Sequence, residues 1–132
     1  MSNRIAHFEI HADDLERCAK FYTDCFGWEI KKWENPGMTY WMVMTGGREE
    51  PGGINGGMVK RGGQKPAQQS GLNAYCCTVV VDNFDAYAKK ILDAGGIEAL
   101  PKMAIPGMAW QGYFIDSEGN TFGLHQADTQ AK

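Results

Sequence analysis

Residues 13–29 read Asp13-Asp14-Leu15-Glu16-Arg17-Cys18-Ala19-Lys20-Phe21-Tyr22-Thr23-Asp24-Cys25-Phe26-Gly27-Trp28-Glu29. Sixty-nine positions later, residues 82–98 read Asp82-Asn83-Phe84-Asp85-Ala86-Tyr87-Ala88-Lys89-Lys90-Ile91-Leu92-Asp93-Ala94-Gly95-Gly96-Ile97-Glu98. Asp13, Ala19, Lys20, Asp24, Gly27 and Glu29 recur there as Asp82, Ala88, Lys89, Asp93, Gly96 and Glu98. One position out of that phase, Pro36-Gly37-Met38 recurs as Pro106-Gly107-Met108. Two copies of one supersecondary unit predict a pseudo-symmetric fold with a cleft between the halves. The repeat also pairs positions: His7 maps onto Cys76, and Tyr40 onto Trp110.

Outward from the repeat, residues 4–11 alternate polar and apolar, the pattern of a half-buried strand. His7, Glu9 and His11 share one face, and Ala6, Phe8 and Ile10 the other. Asp13 or Asp14 is predicted to cap a helix that buries Leu15, Cys18, Ala19, Tyr22 and Phe26 and ends at Gly27. Strands are predicted over 28–33, 39–45 and 54–60, with a turn at Asn35-Pro36-Gly37. The second copy repeats the plan. A strand over 74–81 precedes a helix capped by Asp82 or Asn83 and lined by Phe84, Tyr87, Ala88 and Ile91. Strands follow over 97–100, 109–115 and 121–125. The order is βαβββ, twice. The expected fold is α+β, two tandem βαβββ modules forming a curved, partly open mixed sheet around a cleft. One domain, 1–132, divides into module one at about 1–60, a linker at about 61–71 and module two at about 72–127.

Composition excludes several classes of function. With 132 residues, 43% of them hydrophobic, the chain can bury a core without disulfides or metals. A net charge of −3 with dispersed Lys and Arg offers no nucleic-acid footprint or polybasic membrane patch. No apolar run is long enough to cross a bilayer, and the N-terminus has no signal-peptide core. Cys18 and Cys25 lie seven residues apart on the first helix, about 10 Å, beyond disulfide reach. The adjacent Cys76 and Cys77 are expected on a strand, pointing to opposite faces. Four reduced cysteines without a leader make the cytoplasm the expected location. The glycine pairs between 46 and 63 lack the strand, helix and Gly-Lys-Ser/Thr of a phosphate loop and read as a flexible connection.

The chain resembles the vicinal oxygen chelate superfamily, which includes glyoxalase I, extradiol dioxygenases, fosfomycin-resistance enzymes and bleomycin-resistance proteins. The resemblance is carried by His7-Phe8-Glu9-Ile10, Asp14-Leu15-Glu16-Arg17, Phe21-Tyr22 and Phe26-Gly27-Trp28, and later by Phe114-Ile115-Asp116-Ser117-Glu118-Gly119-Asn120. Gly53-Ile54-Asn55-Gly56-Gly57 and Phe122-Gly123-Leu124 look most like a glyoxalase-related branch of unassigned function. Metal-dependent members hold a divalent ion on four strand positions, two per half, and commonly form homodimers. By resemblance those positions fall on His7, near Met58, on Cys76 and on Gly123. Only His7 is a usual ligand there. A shifted set of His7, Cys76 and His125 is the one metal arrangement left, so no metal or other cofactor is expected. The blander readings are a hydrogen-bonded strand histidine for His7 and a small buried residue for Cys76.

Six methionines (Met38, Met42, Met44, Met58, Met103 and Met108), with Trp41 and Trp110, could line an apolar cavity, although strand alternation sends half of them into the core. Tyr40 and Trp110 are the expected pair for stacking on a flat ligand. Glu9 and Glu29 are acid/base candidates, Glu9 the better because it shares a face with His7 at about 7 Å. The ligand-contact set is therefore His7, Glu9, Tyr40, Met58, Cys76, Trp110 and His125. Two functions follow. One is a metal-independent small-molecule binder using the cleft. The other is a glyoxalase-like lyase or related metalloenzyme with a nonstandard site.

Overall fold

Asp14 sits in extended backbone, and its carboxylate accepts the Arg17 N–H at 3.0 Å, satisfying one of the free amides that open a helix. Helix α1, Leu15–Phe26, runs from there to Gly27, whose φ of 70° is the left-handed conformation that ends a helix most readily at glycine. Asn83 repeats the device for α2, Phe84–Asp93, by accepting the Ala86 N–H at 3.1 Å. This computed structural model describes residues 5–35, 38–47, 49–68 and 76–132. The chain falls into two compact units, Met1–Gln64 and Lys65–Lys132.

The first unit contains β1 (Phe8–Ala12), α1, β2 (Glu29–Asn35), β3 (Met38–Met44) and β4 (Gly56–Lys60). Its sheet order is β1-β4-β3-β2, with β1 parallel to β4 and the other pairs antiparallel. The helix covers one face. Among the described residues the buried apolar side chains are Ala12, Cys18, Phe21, Tyr22, Cys25, Val43 and Met58, each large one worth about 1.5–3 kcal/mol of transfer free energy. The inner row of α1 is thus Cys18, Phe21, Tyr22 and Cys25, not the Leu15, Cys18, Ala19, Tyr22 and Phe26 expected from the sequence. Apolar residues fill more than one stripe of this helix. Phe26 is instead drawn to its rim, against Trp28 at 5.3 Å, while Trp28 stacks flat on Tyr22 at 5.0 Å. Arg61 closes the far end. Its N–H donates to the Ala12 carbonyl, and its guanidinium reaches Asp13 and the His11 carbonyl, each at 3.1 Å.

The second unit contains β5 (Thr78–Val80), α2, β6 (Ile97–Ile105), β7 (Ala109–Ile115) and β8 (Thr121–Ala127), in sheet order β5-β8-β7-β6. The βαβββ order and the mixed sheets agree with the sequence reading. Some lengths differ. The strand expected over 74–81 is only Thr78–Val80, so Cys76 and Cys77 precede it, and positions 74 and 75 lie outside the described residues. Strand β6 runs past Pro101, where it was expected to stop, because β6 is an edge strand. The missing proline N–H is tolerated there, within a stretch of two register shifts. Of the linker expected over 61–71, Arg61 is still tied by its N–H to Ala12 at the end of β1, and 69–71 lie outside the described residues. Among the described residues, no helix is long and apolar enough to cross a membrane.

Candidate functional site

Strand pairing assigns faces. Phe8, Ile10 and Ala12 pair with Gly56, Met58 and Lys60, and Phe8 also meets Trp28 beside the helix. Those residues therefore point to the helix side. Glu9 and His11, opposite Gly57 and Val59, point to the open face, as do Tyr40, Met42 and Met44 through the Met42–Gly57 pair. Four titratable side chains gather there. His7 Nε2 lies 2.7 Å from the Tyr40 hydroxyl, and His11 Nε2 lies 2.9 Å from Glu9 Oε1. Burial, and secondarily the Glu9 carboxylate, push the Tyr40 phenol above its ordinary pKa. The phenol keeps its proton and shares a hydrogen bond with His7 Nε2. Glu29, the other carboxylate weighed, is exposed and paired with Lys31 at 2.6 Å, remote from this chemistry.

Gly57 makes the arrangement possible. A Cβ on Gly57 would stand 1.9 Å from the Tyr40 hydroxyl oxygen, so the phenol occupies the room a side chain would need. Met58, one residue on, is fully buried on the helix side with Ile10 and Trp41 as strand partners. The structure therefore separates Met58 from His7, Glu9 and Tyr40.

In the second unit the open face carries Thr78, Gly123, Gln111 and His125, by the pairs Thr78–Gly123, Val80–His125 and Gln111–His125. The alternate set points to the helix, since a Cβ on Gly112 would strike the Phe84 ring at 2.7 Å. Trp110 belongs to that alternate set. Its indole N–H donates to Asp128 at 3.0 Å, and Lys102 stands 4.5 Å from its ring centroid. Trp110 is therefore not the counterpart of Tyr40. The first hairpin leaves two residues between its last pair, Asn35–Met38, whereas the second leaves three between Ile105 and Ala109. The extra residue shifts the equivalence from 70 to 71 positions and makes Gln111 the counterpart of Tyr40. One residue of shift on a strand reverses the face. Gln111 and Thr78 were missed in the sequence, and unequal hairpin loops are the signal that could have found them.

Gln111 repeats the role of Tyr40. A Cβ on Gly123 would stand 2.4 Å from Thr78 Oγ1 and 2.9 Å from Gln111 Nε2. His125 Nδ1 lies 2.7 Å from Gln111 Oε1. Cys76 turns its sulfur toward the Thr121 carbonyl at 3.6 Å. Burial, then the neighbouring Cys77, raises the Cys76 pKa, so the thiol form dominates, which neither binds metal well nor attacks.

A divalent ion fits this donor set poorly. Of the positions the resemblance implies, Gly123 has no side chain and Met58 is buried on the helix side, while polar side chains fill the room above Gly123 and above Gly57 beside Met58. His7 Nε2 is already engaged by the Tyr40 hydroxyl at 2.7 Å. No three His, Cys, Asp or Glu side chains among the described residues are arranged to hold a metal.

The glycine-rich stretch is more ordered than a flexible connection. The Asn55 carboxamide oxygen accepts the Thr45 N–H, and Thr45 Oγ1 donates to the Ile54 carbonyl, each at 2.7 Å. Beside it lies an open cavity of about 320 Å³ lined by Ala6, Thr45, Glu50 and the backbone of Gly46, Gly52 and Gly53.

Comparison with known proteins places this geometry. Residues 4–46 match a family described as Bleomycin resistance protein-like N-terminal. A glyoxylase-like domain-containing protein of Didymella fabae is 30% identical over 127 residues, covering 94% of each chain. A catechol-2,3-dioxygenase of Bacillus subtilis (strain 168) is 33% identical over 94 residues, 69% of this chain and 32% of the relative. Among solved structures, a mutant of the fosfomycin resistance protein FosX from Listeria monocytogenes, complexed with Mn(II) and 1S,2S-dihydroxypropylphosphonic acid, superposes with a TM-score of 0.70. It is 16% identical, and the match covers 97% of this chain and 93% of that one.

Proposed function

Because the chain belongs to the vicinal oxygen chelate superfamily, in its glyoxalase and bleomycin-resistance-like branch, we propose that it binds a small molecule without a metal. One observation carries this reading. Gly123, at one implied ligand position, is overlain by Thr78 and Gln111, and Gly57, beside the implied position near Met58, is overlain by Tyr40. A site awaiting a metal would present free donor lone pairs toward open space. Polar groups on these faces pair with one another, His7 with Tyr40 and His125 Nδ1 with Gln111, beside apolar surface. Trp33 and Met42 are 46% and 44% exposed and flank Tyr40 on the first sheet. The ligand class that suits such a surface is flat, largely apolar and aromatic, held by stacking and by contact with thioether sulfur. The protein works as a homodimer in this reading.

A second reading, a glyoxalase-like metalloenzyme, is favoured by the names of two relatives, a catechol-2,3-dioxygenase and a Mn(II)-bound fosfomycin resistance protein. Elemental analysis of protein purified without chelator separates the two. The binder reading expects well under one divalent metal per chain and ligand-dependent quenching of Trp fluorescence with no product. One tightly bound metal per chain, lost in His7→Ala, would replace it with the metalloenzyme.

A further inference from the structure

His125 is the one histidine of the second unit, and its two ring nitrogens have different surroundings. Nδ1 lies 2.7 Å from Gln111 Oε1, and Gln111 is 9% exposed. A carboxamide oxygen only accepts, so the proton must sit on Nδ1. The carboxamide Nε2 lies with Thr78 Oγ1 over Gly123, in the space a side chain at that position would take. Nε2 of His125 has no partner among the described residues, and the residue is half-buried on the open face. The first unit has no equivalent. Register aligns Gly57 with Gly123 and therefore Val59 with His125.

We propose that Gln111 is a positioning residue that fixes His125 as the Nδ1–H tautomer, leaving Nε2 as the acceptor for an O–H or N–H donor of the ligand. The inference rests on the small-molecule-binding reading and deepens it by naming the ligand's polar group. The ligand then carries a phenol, enol or N–H on its flat apolar body. An ether or ester oxygen in that place would face the imidazole lone pair and be rejected, because two acceptors without a proton between them repel.

Long-range 1H–15N correlation of histidine-labelled protein reads the tautomer directly. The wild type is expected to show one resonance pair of the Nδ1–H type, assigned by its loss in His125→Ala. Gln111→Met, similar in volume and lacking the acceptor, is expected to give a mixture of tautomers while the rest of the spectrum stays folded. In parallel, 2-naphthol and 2-methoxynaphthalene are titrated against Trp fluorescence. The naphthol is expected to bind about tenfold tighter in the wild type, the value of one hydrogen bond, and with that preference reduced in Gln111→Met in proportion to the Nδ1–H population lost. An Nε2–H tautomer in the wild type, or a tautomer unchanged in Gln111→Met, overturns the inference, as does equal binding of both compounds by the wild type. Failure of both compounds to bind, with the Nδ1–H tautomer present, upholds the positioning role of Gln111 and counts instead against an aromatic ligand.

Discussion

Adjacent glycines on opposite faces of β4 make a sharp mutational contrast. An alanine at Gly56 places its Cβ 2.4 Å from the Phe8 carbonyl oxygen and 2.7 Å from the Phe8 ring. A backbone carbonyl held in the β1–β4 ladder cannot retreat, so Gly56→Ala forces the strands apart. Overpacking of that kind costs about 1–3 kcal/mol. At Gly57 the obstacle is the end of the Tyr40 side chain, 1.9 Å away, which can swing out. Gly57→Ala then forfeits the bond to His7, about 0.5–1.5 kcal/mol and toward the lower figure at an exposed pair. Against this, alanine lowers the entropy of the unfolded chain, which returns about 0.4–1 kcal/mol. The net change is within about 1 kcal/mol of zero. Urea denaturation at constant m-value measures both variants. A second readout follows Tyr40 itself. Its raised pKa means that the native state holds this proton more tightly than the unfolded state does. The corresponding stability is complete below about pH 10 and is lost as pH rises through the raised value. In Gly57→Ala the ring leaves its shelter, so tyrosinate absorbance near 295 nm should shift back toward ordinary tyrosine. Equal destabilisation by both alanines, or an unchanged tyrosinate profile in Gly57→Ala, refutes the placement of Tyr40 over Gly57.

Three further outcomes follow from the same geometry. Iodoacetamide with mass spectrometry should label exposed Cys77 first and Cys76 more slowly, its rate rising steeply with pH, because burial and Cys77 keep its thiol protonated; buried Cys18 and Cys25 should stay unlabelled until unfolding. Arg61→Met should lower stability by about 1–3 kcal/mol by urea denaturation, since it leaves the His11 carbonyl and Asp13 without their guanidinium partner. Light scattering at micromolar concentration should give the mass of two 14.6 kDa chains, and a monomer mass would remove the homodimer from the proposed function.

Local features were legible in the sequence where local physics sets them. Asp14 and Asn83 cap as short polar side chains do, and Gly27 ends α1 because an L side chain resists a φ of 70°. The strand over 109–115 was read to the residue, because a Pro-Gly turn at 106–107 and the Asp116–Asn120 turn bound it. Pro101 misled because a proline stops a central strand but not an edge, and edge position is not a local property. Cys18 and Cys25 were read as sharing a helix face and do, while Phe21 was missed because the choice among several apolar rows belongs to the sheet beneath.

The candidate site divides in the same way. His7, Glu9 and His11 share a face by strand alternation alone, and the sequence determined that much. Tyr40 joins them only through the β3–β4 ladder and the emptiness of Gly57, and Met58 leaves them through the same ladder. In the second unit a hairpin one residue longer exchanges Trp110 for Gln111, and the stacking pair suggested by the repeat gives way to a glutamine bonded to His125. A repeat in sequence aligns residues by count. A sheet aligns them by hydrogen-bond register, where an odd shift reverses every side chain. The duplicated βαβββ plan was therefore the sequence's to determine. Which side chains meet on each open face was decided only when the strands paired.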